Sequence, residues 1–132
     1  AAFGPYALLR ARATRCEGQL LLESEWQPRR STPVTPTTTL FSQALDDSGR
    51  LVAQADGPPL GLRPTLIQMT AGWWLADRRH LAPVVAEGGP AATTVLLGVY
   101  DFASGQRYPA VDAQGQSLPD EALRLPIAPC DR

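Results

Sequence analysis

The chain has 132 residues, 12 of them basic and 13 acidic, for a formal net charge of −1. A chain of this length is one domain, read here over residues 1–132, and it buries roughly 65–70% of its unfolded surface, so it needs neither metal nor disulfide to fold. The charges form no basic stripe, which removes the electrostatic support for a nucleic-acid partner, and no apolar run approaches the ~20 residues of a membrane-spanning helix.

No segment carries a long apolar period of 3.6 residues. Thirteen Pro and eleven Gly divide the chain into short runs, the pattern of an antiparallel β-sandwich or barrel. The first run is Phe3–Ala13. The second, "GQLLLESEW" at 18–26, alternates. Leu20, Leu22, Ser24 and Trp26 fall on one face, and Leu21, Glu23 and Glu25 on the other, which reads as a strand with one wet face. "QPRRSTPVTP", 27–36, is a loop. "TTTLFSQAL", 37–45, is rich in β-branched and aromatic residues and reads as a strand. "DDSG", 46–49, is a turn, and "RLVAQA", 50–55, returns as its hairpin partner. Pro58 and Pro59 cannot donate to a ladder and end that pairing. Residues 56–72 form an irregular crossover to a strand in "WWLADRRHLAPV", 73–84. After a turn in "EGGPAA", 87–92, comes "TTVLLGVYDF", 93–102, a central strand with a nearly unbroken apolar centre. A turn at "ASGQ", 103–106, leads through "RYPAV" and "DAQGQ" to a last strand, "EALRLPIA", at 121–128.

Candidate chemistry is sparse. Asp46, Asp47 and Asp112 offer oxygens to calcium, but the EF-hand spacing is absent and solvated hairpin turns explain them better. Asp77 and His80, the only histidine, lie three apart on a strand and so face opposite ways, with no nucleophile elbow beside them. Glu23 and Glu25 share one strand face, whereas glycosidase carboxylates face each other across a sugar. Trp73 and Trp74 are the candidate ligand-binding residues. Adjacent strand residues point to opposite faces, so one belongs to the core and the other is exposed, either to stack on a sugar ring or to meet another domain. Cys16 and Cys130 sit in no CxxC or His-containing motif, which argues against zinc. No metal and no cofactor is expected. All 12 basic residues are Arg, with no Lys and no Asn, a composition that points to a GC-rich genome and excludes an Asn-linked glycan. The chain opens on Ala1 and carries no signal sequence, and it reads as an excised piece of a longer protein.

The ordered phrases "LFSQALDDSGRLVAQADGPPLG", "PT", "ADR" and "LLGVYDFASGQRYPAVDAQGQSL" resemble the soluble C-terminal β-domain of bacterial multi-pass glycosyltransferases of the dolichyl-phosphate-mannose/protein mannosyltransferase-like class, and of related polytopic membrane proteins. The likeness spans about residues 18–127 and rests on Asp46–Arg50, Asp56–Pro59, Gly98–Asp101 and Val111–Gly115. With the seven or eight strands counted along the chain, it leads to the expectation of an immunoglobulin-like or fibronectin III-like antiparallel sandwich, and the alternation at 18–26 and the apolar run 93–102 lead to the expectation that Leu20, Leu22, Trp26, Leu97 and Val99 are buried in it. It also implies a place outside the cytoplasmic membrane, tethered by membrane spans that this chain lacks. Sugar transfer would belong to the membrane part, so this domain is not expected to be an enzyme. The leading expectation is an accessory module contacting its own parent's membrane part or another cell-surface protein. The alternative is a carbohydrate-binding module, with glycans as partners, and an enzyme in its own right comes third. In sandwiches of this type the first and last strands run side by side and parallel, which places Cys16 and Cys130 at one rim and leads to the expectation of a disulfide between them. Two unrelated thiols are the alternative.

Overall fold

The alternation of residues 18–26 extends into a ten-residue strand, and its Leu22, Ser24 and Trp26 side chains are buried while Glu23 is exposed. Other runs behave likewise. A computed structural model, which describes residues 1–28, 32–33, 38–57, 68–69, 75–86 and 89–130, contains these strands in chain order: β1 (Ala2–Phe3), β2 (Tyr6–Cys16), β3 (Gln19–Pro28), β4 (Thr32–Pro33), β5 (Thr38–Leu45), β6 (Leu51–Gln54), β7 (Gln68–Met69), β8 (Leu75–Pro83), β9 (Thr94–Asp101), β10 (Gln106–Arg107), β11 (Ala110–Val111) and β12 (Leu123–Pro129). One 3-10 turn, Pro119–Glu121, precedes β12. There is no α-helix among the described residues.

Seven strands close into a barrel, which corrects the expected immunoglobulin-like or fibronectin III-like sandwich. Around the ring β2 pairs with β3, β3 with β8, β8 with β6, β6 with β5, β5 with β9, β9 with β12, and β12 returns to β2. Every step is antiparallel except the last, where β12 runs parallel to β2. A sandwich would leave two sheets with free edges. Here the two halves are joined at both margins by short ladders. One is Ala53↔Pro83 and Gln54↔Ala82, between β6 and β8. The other is Ile127↔Ala13, Ala128↔Thr14 and Pro129↔Arg15, between β12 and β2. Closure removes unpaired strand edges, which otherwise expose a row of N–H and C=O groups. Inward and outward residues alternate identically in a sandwich and a barrel, so the pattern of each strand is the same under either architecture. The margins alone distinguish them.

The interior holds Leu8, Leu22, Trp26, Leu40, Val95, Leu97 and Val99, with Leu20, Leu123 and Leu125 partly buried against them. Trp26 donates its indole N–H to Ser24 Oγ at 2.8 Å, which satisfies the polar end of a ring that packs 5.5 Å from Phe3. A bulge between Leu8 and Arg10 shifts the β2–β3 register and leaves Leu9 half exposed at the surface.

Strand β9 is apolar on both faces because both faces are covered. Its outer face packs Leu96 with Phe41 and Ala122. Phe41 lies directly against Gly98, where an added Cβ would stand 2.3 Å from the ring. The Arg107 guanidinium caps that ring at 4.2 Å, and Tyr100 meets it edge-on at 6.0 Å.

The β5–β6 hairpin forms as the sequence predicts, with its turn at Asp46–Gly49. Its pairing continues past Gln54, because Ala55 N–H bonds Ser42 O at 3.0 Å and Leu40 and Gly57 bond each other at 2.9 and 3.1 Å. Pro58 and Pro59 lie outside the described residues, as does most of the expected crossover. Within that crossover β7 pairs with β4, whereas residues 27–36 were expected to be loop throughout.

Candidate functional site

The acidic turns are built the same way twice. Asp46 Oδ1 accepts the N–H groups of Ser48 and Arg50, both at 2.9 Å, and the Ser48 hydroxyl at 2.8 Å. Asp112 Oδ1 accepts the N–H groups of Gln114 and Gln116, both at 2.9 Å. Gly49 and Gly115 close the two turns at φ +84° and +80°, a region open to glycine at little cost. These carboxylates therefore organise their own loops. The Arg50 N–H above all, then the Ser48 hydroxyl, hold the Asp46 carboxyl below its ordinary range. No cluster of three metal-ligating side chains occurs among the described residues.

A large concavity among the described residues lies on β2, β3 and β8. Strand β8 pairs with β3 along Leu75–Leu81 but with β6 only at Ala82 and Pro83. Beyond that point the chain at 55–57 bonds to β5 on its other side. The resulting groove, about 1120 Å³, has residues 10–12, 23–25, 55–57 and 76–79 as its walls. Two kinds of row cross it. Ala11, Ser24 and Asp77 stand in register, as do Arg12, Glu23 and Arg78 beside them. The first row faces the barrel interior and the second faces solvent, as alternate strand residues must. A further outward pair, Arg10 and Glu25, is bridged at 3.4 Å.

Asp77 and Arg79 both point inward from β8 and form a two-pronged pair. Arg79 Nε donates to Asp77 Oδ2 at 2.6 Å and Nη2 to Oδ1 at 2.8 Å. Their side chains are only 3% and 13% exposed. Arg79 Nη1 also points to the Gly57 carbonyl at 3.5 Å, so one guanidinium spans from the β8 wall to the 55–57 wall. A charge pair buried this far is tolerable only with such geometry. On the far rim Asp56 accepts the Tyr100 hydroxyl at 3.1 Å. Burial, and then the neighbouring Asp56 carboxylate, push the Tyr100 phenol above its ordinary value.

Asp77 is buried and His80 is exposed on the same strand, so the two are not brought together. Glu23 and Glu25 sit on the outer face of β3, the strand whose residues 23–25 form one wall of the groove. Trp73 and Trp74 lie outside the described residues. Cys16 and Cys130 are joined by a disulfide, Cα–Cα 5.3 Å, and Cys130 N–H donates to Arg15 O at 3.2 Å. Arg10, Arg12, Arg78, Arg79 and Asp56, which the fold gathers around this groove, stand in no motif of the sequence. The signal was present in "RAR" at 10–12 and "ESE" at 23–25. Folding them about the Glu17–Gly18 turn sets each Arg opposite a Glu. No family model matches the chain, and no curated protein matches it.

Proposed function

We propose that the chain is a non-catalytic accessory domain on the extracytoplasmic side of a membrane-bound, glycosyltransferase-like protein. The observation that carries this reading is the Cys16–Cys130 disulfide, which fastens the last barrel strand to the first long one over a separation of 114 residues. Such bridges persist in oxidising compartments and are rare in the cytosol. The phrases that carry the resemblance also have a physical role in this barrel. Asp46–Arg50 and Val111–Gly115 are the two self-bonded turns, and Gly98 is the seat of Phe41. Its partners on this reading are the membrane part of its own parent or another cell-surface protein.

The test is alkylation of the protein taken, unfolded but unreduced, from its natural membrane fraction. Intact mass without alkyl adducts is the expected result. Two adducts would mean free thiols and would remove the extracytoplasmic assignment. Loss of sugar transfer from membranes carrying point changes in this domain alone, with assembly intact, would overturn the non-catalytic part.

A further inference from the structure

We infer that β8 offers an open strand edge, at Ala76, Arg78 and His80, to an extended peptide segment of a separate protein that carries an acidic residue opposite Arg78. The inference rests on the accessory-domain reading only in taking the partner to be a protein. The edge follows from the parity of the main-chain bonds. Val84 N–H donates to Val52 O at 3.0 Å, and β6 pairs with β8 only at Ala53↔Pro83 and Gln54↔Ala82. Successive residues of an antiparallel strand aim their main-chain groups to opposite sides. Ala82 and Val84 aim at β6, so Ala76, Arg78 and His80 aim the same way, while the residues between them aim at β3. The β6 ladder stops at Ala82, and beyond it the N–H and C=O groups of Ala76, Arg78 and His80 enter no ladder with the described residues. Across the gap Ala55 and Gly57 bond to Ser42 and Leu40 of β5 instead.

An unpaired edge in an otherwise closed wall is a template for one more strand. In strand addition the main-chain bonds supply affinity and alternate side chains choose the partner. Arg79 leaves the edge clear. Its side chain departs from the inner face of β8 and points to the Gly57 carbonyl at 3.5 Å, so it floors the gap, and an added strand lies above it in the plane of the wall. Charge then selects the segment. On the outer face Arg12, Glu23 and Arg78 stand in one row across β2, β3 and β8, two guanidinium groups to one carboxylate. An added strand sets its own outward residue next in that row, beside Arg78. An acidic side chain there continues the alternation of sign, whereas a basic one sets like charges opposite each other. The adjacent row, Arg10, Glu25 and Ala76, ends on a small side chain and makes no such demand.

The experiment titrates the isotope-labelled chain with the blocked peptide acetyl-Val-Thr-Ala-Glu-Ala-Thr-Val-amide, with a copy carrying Lys in place of Glu, and with a copy N-methylated at both Thr and at Glu. The methylated copy lacks the N–H groups that would face β8. The Glu peptide should shift the amides of Ala76, Arg78 and His80 and slow their hydrogen exchange. The Lys copy should bind about fivefold more weakly, and the methylated copy should leave those amides unmoved. Arg78→Ala, at an exposed position, should keep the melting temperature and abolish the preference for Glu over Lys. Silence of these amides toward the Glu peptide overturns the inference, as does an equal response to the Lys or the methylated copy. A preference for Glu that survives Arg78→Ala also overturns it. So does slowed exchange of the same amides on raising the chain's own concentration, which would make a second copy the occupant. The alkylation test reads only the thiols, so failure of either test leaves the other reading standing.

Discussion

Replacing Asp77 with Ala should be among the most damaging single changes in this barrel. The substitution removes both short bonds to Arg79, at 2.6 and 2.8 Å, and leaves a guanidinium whose side chain is 13% exposed without its counter-charge. Breaking a buried pair on one side costs about 3–5 kcal/mol, because the remaining charge is not rehydrated. Against a total stability of about 5–15 kcal/mol that is a large share. At roughly 4 °C per kcal/mol for a domain of this size the melting temperature should fall by about 12–20 °C. The double change Asp77→Leu with Arg79→Met removes both charges and fills the space with apolar atoms, and should sit within about 2 kcal/mol of the parent. Urea unfolding of Asp77→Leu, of Arg79→Met and of the double variant forms a thermodynamic cycle that isolates the coupling. Single-variant losses below about 1 kcal/mol, the range of an exposed ion pair, would refute the claim that this pair is a buried part of the barrel wall.

Gly98→Ala places a Cβ 2.3 Å from Phe41 Cζ and 2.9 Å from the Glu121 carbonyl, so it should destabilise by about 1–3 kcal/mol or more. Adding Phe41→Leu should recover part of that loss in the same denaturant assay. Cys16→Ser with Cys130→Ser opens a loop closed over 114 residues, an upper figure of about 4.8 kcal/mol on the chain-entropy model. Hydrogen exchange should then show Leu123–Pro129 as the first protected segment lost. Asp46 has its carboxyl pKa lowered by the Arg50 N–H and then by the Ser48 hydroxyl, so its contribution is complete above the unfolded value of about 3.9 and is lost as pH falls through the lower folded value. The stability gap between the parent and Asp46→Asn should therefore narrow between about pH 5 and pH 2 in thermal melts.

Strand positions were legible because local chemistry sets them. Ser48 and Gly49 follow Asp46 in an order that only a tight turn satisfies, and the Leu-Leu-Leu-Glu-Ser-Glu-Trp alternation has one dry face. Closure depends on five residue pairs at two margins; the resemblance implied the parallel pairing of Ile127↔Ala13, Ala128↔Thr14 and Pro129↔Arg15, but nothing in the sequence marked the other margin, Ala53↔Pro83 and Gln54↔Ala82. None of these residues has a pattern that differs between a strand at a free edge and one at a seam. Pro83 and Pro129 even read as edge markers, since proline cannot donate to a ladder. They are tolerated here because each stands at the end of its strand.

The groove follows from that same short seam. A barrel whose β6–β8 ladder continued to the end of β8 would set 55–57 against β8 by main-chain bonds and leave no space between them. Instead residues 55–57 spend their main-chain groups on Ser42 and Leu40, and the Arg79 guanidinium crosses to Gly57. A long polar side chain replaces a ladder rung, so the wall stays joined while the groove stays wide. The sequence records this substitution only as Asp77-Arg78-Arg79, in which alternate residues share a face. Reading Asp77 with Arg79 at i+2, rather than with His80 at i+3, is the step that turns a surface charge run into a buried pair beneath an outward Arg78. Arg78 is therefore held outward by a strand whose inner face is already fixed, which is why its removal should leave the fold unaltered.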